Sequence, residues 1–203
     1  LIICGIVPVI INRVIFGSVK TDVSAWLNLF ALLITNSLFI YFVSAKYQWK
    51  IKLFSNLSLK GIFLAIGCSV LFYILLDKMI DPFIDSIFTS SALKYKRTID
   101  QLIQFPLVNF IRVCLMAPIV EEILIRGFIL ESLQKNYSVI LSLLISSIIF
   151  AIFHFNFAQT LSSLICGLLL GILYINTHSL LCCILAHSLY NTISYIAIIF
   201  KYK

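Results

Sequence analysis

Residues 117–128 read APIVEEILIRGF, with two adjacent glutamates and an arginine set inside a run of apolar side chains. What that stretch means depends on the solvent around it, and composition supplies the solvent. Of 203 residues, 62% are hydrophobic and only 11% are charged, against roughly 25% charged in soluble domains. The mean hydropathy is +1.10. The chain reads as a membrane protein, and its carboxylates at positions 121 and 122 read as membrane-embedded.

Apolar runs near the roughly 20 residues that cross a bilayer recur along the chain, separated by short polar breaks. They fall at about 1–16, 24–44, 61–80, 102–134, 138–155, 161–175 and 180–200, and predict seven spans. The first run lacks an initiating methionine and is short; it reads as the end of a truncated helix in preference to a signal-sequence remnant. The fourth is too long for one straight span. Pro118 interrupts it, removes one backbone donor, and predicts a helix kinked or split just before the glutamates. The segment 81–100, DPFIDSIFTSSALKYKRTID, is the most polar and predicts a sizeable loop with an interfacial amphipathic helix.

Lys46, Lys50, Lys52 and Lys60 cluster between the second and third runs, which the positive-inside rule places in the cytoplasm. Counting onward puts residue 135 in the cytoplasm and residues 156–160 outside, with Lys201 and Lys203 on the disfavoured side. The net charge of +7 does not indicate nucleic acid as a partner. Its cations flank spans and form no aromatic-interleaved surface, so they read as charges for lipid headgroups and topology. The cysteines at 4, 68, 114, 166, 182 and 183 all lie in apolar segments without metal-type spacing, and read as small core residues.

Ionisable groups cost at least a few kcal/mol at membrane depth, so those that remain there read as functional unless fully paired. The chain has three glutamates, two of them Glu121 and Glu122, and three histidines, of which His154 and His187 lie in apolar runs. On a helix turning about 100° per residue, Glu122 and Arg126 are about 40° apart and can pair, whereas Glu121 lies about 140° from Arg126 and is left over. An unpaired carboxylate in a site of low dielectric is the kind of group that serves as a general base. In FAIFHF, Phe150 and His154 are four apart, so the phenyl ring can wall the imidazole. In LAHSLYN, His187 and Asn191 are likewise four apart on one face.

Glu121, His154, His187 and Asn191, from three helices, read as convergent on one cavity. These types suit hydrolysis: a carboxylate and an imidazole can hold and deprotonate a water, while a second imidazole and an amide can donate to a developing oxyanion. No serine or cysteine nucleophile is needed. Two histidines and a glutamate are also a catalytic zinc set, but HExxH is absent, which leaves a metal at Glu121, His154 and His187 open.

The ordered set Glu121-Glu122-x-x-x-Arg126, Phe150-x-x-x-His154 and His187-x-x-x-Asn191 resembles the signature motifs of the CPBP family, the CAAX proteases and bacteriocin-processing enzymes also called Abi. The resemblance spans about residues 114–195 and includes the helix GLLLGILY; Ile125 stands where the motif commonly has an aromatic. It implies an all-α polytopic membrane protein with its active site within a core helix bundle, here residues 101–203, preceded by N-terminal membrane helices and the polar loop in 1–100. It implies an intramembrane endopeptidase whose cavity, in CAAX-processing members, opens toward the cytosol. By motif position Glu121 would be the general base and His154 would help activate water. His187 and Asn191 would stabilise the oxyanion, with Glu122 and Arg126 in support. Of the two descriptions of the family, metalloprotease and metal-independent glutamate protease, the motifs favour the second, with no required cofactor.

The expected partners are a peptide or membrane-protein substrate and the lipid bilayer, and the expected location is a bacterial plasma membrane. Leader or propeptide processing of a secreted peptide is the favoured role, ahead of prenylated-protein processing. Bacteriocin self-immunity or scaffolding is the non-enzymatic alternative. A proton-coupled transporter would also bury Glu and His, but no repeat relates the two halves. Arg112 and Glu131 read as helix-end residues, His178 as a turn residue, Gly167 and Gly171 as a close-packing pair within the chain, and Trp26 and Trp49 as interfacial anchors. One tension is built in: His154 near a helix end and His187 well inside another are offset in depth by about 10 Å.

Overall fold

A computed structural model describes residues 21–88, 99–100, 102–154 and 157–202. The first apolar run, Cys4 and residues 89–98 of the expected polar loop lie outside the described residues. Within them the regular structure is helical. Helix α1 is Asp22–Tyr47, α2 is Leu59–Ile87, α3 covers residues 106–134, α4 is Val139–Ile152, α5 is Phe157–Thr177 and α6 is Leu180–Tyr202. Each of the six apolar runs after the first corresponds to one of these helices. Among the described residues, four helices (α1, α2, and the bulk of α5 and α6) are long and apolar enough to cross a membrane, and the chain is an all-helical integral membrane protein.

Local chemistry sets the helix starts. Thr21 caps α1 and forms a capping box with Ser24, Ser58 accepts from the Gly61 N–H at the start of α2, and Ser138 accepts from the Leu141 N–H at the start of α4. Gln48 ends α1 in the left-handed region at φ 50°, and His178 turns the chain between α5 and α6 at φ 48°. His178 is thus the turn residue its sequence context indicates.

Glycine brings α4 and α5 together. A Cβ on Gly167 would sit 3.2 Å from both the Ser147 Cα and the Phe150 Cδ1, and one on Gly171 would sit 2.3 Å from the Leu143 Cδ1. The pair therefore serves packing within the chain. The core formed against this contact includes Phe72 and Leu76 of α2, Ile125 and Leu130 of α3, Phe150 of α4, Leu170 of α5 and Cys182 and Cys183 of α6. Ile125, in the motif's aromatic position, is fully buried there. The five described cysteines are free thiols, four of them buried. Helix α1 stands apart, joined to α3 through a small cluster of Ala25, Leu29 and Val108.

Three expectations are corrected. Pro118 does not break α3: the backbone stays right-handed helical through Met116, Ala117 and Glu122. The chain accommodates the missing N–H by widening into π turns at Ile111–Met116 and Ile123–Leu130 on either side. Residues 81–87, assigned to a loop, instead continue α2, which passes through a π segment at Tyr73–Ile80 and carries Asp77, Asp81 and Asp85 inward along one side. The depth offset between the histidines disappears because α4 is short. Its 14 residues rise about 21 Å at 1.5 Å each, less than a hydrocarbon core of about 30 Å. The end of α4 thus lies beside His187, and both imidazoles meet the Phe150 ring.

The α4–α5 contact gives an ordering of two glycine variants. Gly167→Ala meets backbone at Ser147 and should lower stability by about 1–3 kcal/mol. Gly171→Ala meets only the end of the flexible Leu143 side chain, and should cost less. Thermal unfolding of both variants in the same detergent checks the order.

Candidate active site

The wide turn that follows Glu122 carries Arg126 back beneath it. Arg126 Nη1 donates to Glu122 Oε1 at 2.9 Å, and both side chains are essentially removed from solvent. The second guanidinium nitrogen, Nη2, donates to the Gly167 carbonyl at 2.9 Å, and the guanidinium carbon lies 4.8 Å from the centre of the Phe150 ring. The expected intrahelical pair is present. It is also a junction of α3, α4 and α5.

His187 of α6 completes this junction. Its Nδ1 lies 2.9 Å from the same Glu122 Oε1. A carboxylate paired with Arg126 can only accept, so Nδ1 carries the proton and Nε2 faces outward. Nε2 is 3.9 Å from Glu121 Oε2. The two adjacent glutamates therefore separate: Glu122 is wholly buried, while the Glu121 side chain is 22% exposed and faces a cavity. Sequence geometry left Glu121 unpaired with Arg126, and the structure places it against an imidazole instead.

His154 lies in the turn after α4, with Nδ1 3.1 Å from the Phe150 carbonyl. A carbonyl only accepts, so Nδ1 is again the donor and Nε2 is the open nitrogen. The Phe150 ring meets His154 at 5.1 Å and His187 at 5.9 Å between centroids, edge to face in both cases. One aromatic side chain thus sets both imidazoles. Asn191, one turn beyond His187, donates from Nδ2 to the Val113 carbonyl at 2.9 Å.

All four of Glu121, His154, His187 and Asn191 line one cavity of about 340 Å³, with Phe150 as part of its wall. This lies at the low end of the range for ligand pockets. Arg112 lines it too, as do Asp81, Asp85, Gln159 and Tyr190. Asp77 accepts from Tyr190 at 2.9 Å and from Ser194, and Asp81 accepts from Ser162. Sequence reading missed this acidic wall. Its signal was the four-residue spacing of Asp77, Asp81 and Asp85 at the end of an apolar run, which marks one helix face. Glu131 accepts from Tyr174 and ties α3 to α5 at the opposite end of the bundle.

The Lys-rich segment also packs at that opposite end. Trp49 lies 5.2 Å from Phe128, and Asn56 donates to the His178 carbonyl at 3.1 Å. Asp85, Arg112, Gln159 and Tyr195, by contrast, bring the cavity to the other helix ends. A cytoplasmic Lys-rich segment and a cytosol-facing cavity therefore name opposite faces of the membrane. As for a metal, among the described residues no three His, Cys, Asp or Glu side chains are grouped closely enough to hold one.

Residues 103–193, just under half of the chain, match the model of the family described as Rce1-like, type II CAAX prenyl endopeptidase. The matched stretch contains Glu121, Glu122, Arg126, Phe150, His154, His187 and Asn191. This region is similar to the Rce1-like family. The likeness is consistent with a CAAX-type intramembrane protease, a hydrolase. No curated protein and no solved structure matches the chain.

Arg126, inside the matched stretch, gives a stability prediction. Arg126→Met keeps much of the side-chain volume but leaves Glu122 as a buried carboxylate without its cation. Losing one partner of a buried pair costs about 3–5 kcal/mol. Thermal unfolding of the purified membrane protein should show a correspondingly large fall in midpoint.

Proposed function

We propose that the chain is a glutamate-dependent intramembrane endopeptidase that works without a metal. The observation that carries this reading is the division between the two carboxylates. Glu122 is held by Arg126 and His187 away from solvent, and Glu121 is open to the cavity beside the outward nitrogen of His187. A carboxylate so placed can take a proton. One bound to a guanidinium and an imidazole cannot.

In this mechanism a water sits against Glu121 within reach of His154 Nε2. Glu121 accepts its proton as the oxygen attacks the carbonyl carbon of the scissile peptide. The carbonyl oxygen becomes an oxyanion, stabilised by the Asn191 amide and by His187 once Glu121 has handed the water's proton to its Nε2. Glu122 supports that charged imidazole through Nδ1, as a buried carboxylate orients a histidine in hydrolytic triads. The same proton then passes from His187 Nε2 to the leaving nitrogen as the C–N bond breaks. Water is consumed, and one new carboxyl and one new amino terminus form.

The substrate in this reading is a peptide or a membrane-associated protein segment that enters from the bilayer. A cavity of about 340 Å³ suits a short extended segment. Leader or propeptide processing of a secreted peptide in a bacterial plasma membrane is the role we favour. The family's printed description makes prenylated CAAX ends a second substrate class to test.

Mass spectrometry of peptide termini, in cells carrying wild type or Glu121→Gln at equal membrane levels, tests the reaction. Termini present with wild type should fall at least about a hundredfold with the variant, since general base catalysis contributes about 10²–10⁴ in rate. Coincident terminus profiles, with any wild-type phenotype retained, would replace the peptidase by a binding or immunity protein.

A further inference from the structure

Pro118 precedes the catalytic glutamates by less than one turn, and its missing N–H has a specific consequence in the register found here. In the π segment Ile111–Met116 the N–H of residue i bonds the carbonyl of residue i−5, as the Ala117 N–H bonds the Arg112 carbonyl. The next bond in that register would run from residue 118 to the Val113 carbonyl. Proline has no N–H to give, so that carbonyl is left over inside the helix bundle. In membrane helices a carbonyl freed by proline is satisfied by a neighbouring element. Here the neighbour is Asn191, whose Nδ2 donates to the Val113 carbonyl at 2.9 Å.

We infer that Pro118 is a positioning residue for Asn191. The carbonyl it exposes fixes one N–H of the carboxamide. The other N–H is left to the cavity that Asn191 lines with Glu121, His154 and His187. Both halves of the device are local. The donor is lost by the identity of residue 118, and the register that aims the loss at Val113 is set by the π turns before it. The same bond ties α6 to α3 one turn from His187, so the amide is held relative to the Glu121 carboxylate on the same helix. The inference rests on the proposed reading only where it assigns the free N–H to an oxyanion; the pinning of Asn191 by Val113 stands apart from any reaction.

The test uses Pro118→Ala in the full chain, which restores the donor. In nanodiscs, the Asn191 side-chain amide pair, assigned by its disappearance in Asn191→Ala, is expected to be protected from solvent exchange in wild type. It should shift and lose protection in Pro118→Ala. An unchanged pair overturns the inference. In cells, the wild-type-only termini should accumulate about tenfold more slowly with Pro118→Ala, a smaller loss than the roughly 10²–10³ for removing an oxyanion donor outright. On an Asn191→Ala background the same change should have no further effect, and additive losses overturn the inference.

The unfolding midpoint of Pro118→Ala should equal or exceed that of wild type, because the helix gains a hydrogen bond. A midpoint that falls together with activity assigns Pro118 a merely structural role. If termini prove independent of Glu121, the peptidase reading fails, and the amide spectra still decide the pinning of Asn191.

Discussion

The buried pair Glu122–Arg126 is the constraint to which the rest of the site is fitted. Two opposite charges removed from water are sustained only when their remaining hydrogen-bonding capacity is met. Here His187 shares Glu122 Oε1 with Arg126, and the Gly167 carbonyl takes a second guanidinium N–H. Each contribution arrives from a different helix. The guanidinium can reach the Gly167 carbonyl because residue 167 has no side chain where α4 and α5 touch, and Phe150 lies across the guanidinium face. Polar satisfaction and close packing are therefore one arrangement, which fixes His187 before any substrate is considered.

The same arrangement explains why adjacent glutamates do different work. A helix turns neighbouring residues about 100° apart, so a single α3 presents one carboxylate to the ion pair and the other to the cavity. The end of α4 brings His154 to the same cavity, beside the Phe150 ring that also meets His187. Phe150 is shared by both imidazoles and by Arg126. A change at that ring would act on three groups at once.

Much of this was legible in the sequence, and what was not has physical causes. Helix periodicity gives the Glu122–Arg126 pair, the Phe150–His154 contact and the odd position of Glu121, because all three depend only on angles within one helix. The convergence of three helices followed from the cost of leaving polar groups in lipid. Asp81 and Asp85 escape because residues 81–100 read as a polar loop instead of the last turns of an apolar helix, and Arg112 because a lone arginine near a span end reads as reaching for water.

The π segments lie where the site needs them. One precedes Pro118, one carries Arg126, and one brings the α2 aspartates to the cavity wall. In a regular helix at membrane depth the backbone bonds itself and offers nothing to a neighbour. A widened turn changes which side chains share a face, and next to a proline it releases a carbonyl as well. That carbonyl must find a donor, and in this chain the donor is a carboxamide on the cavity wall. The irregularity that sequence reading takes for a break in the helix is what links α3 to α6 at the site.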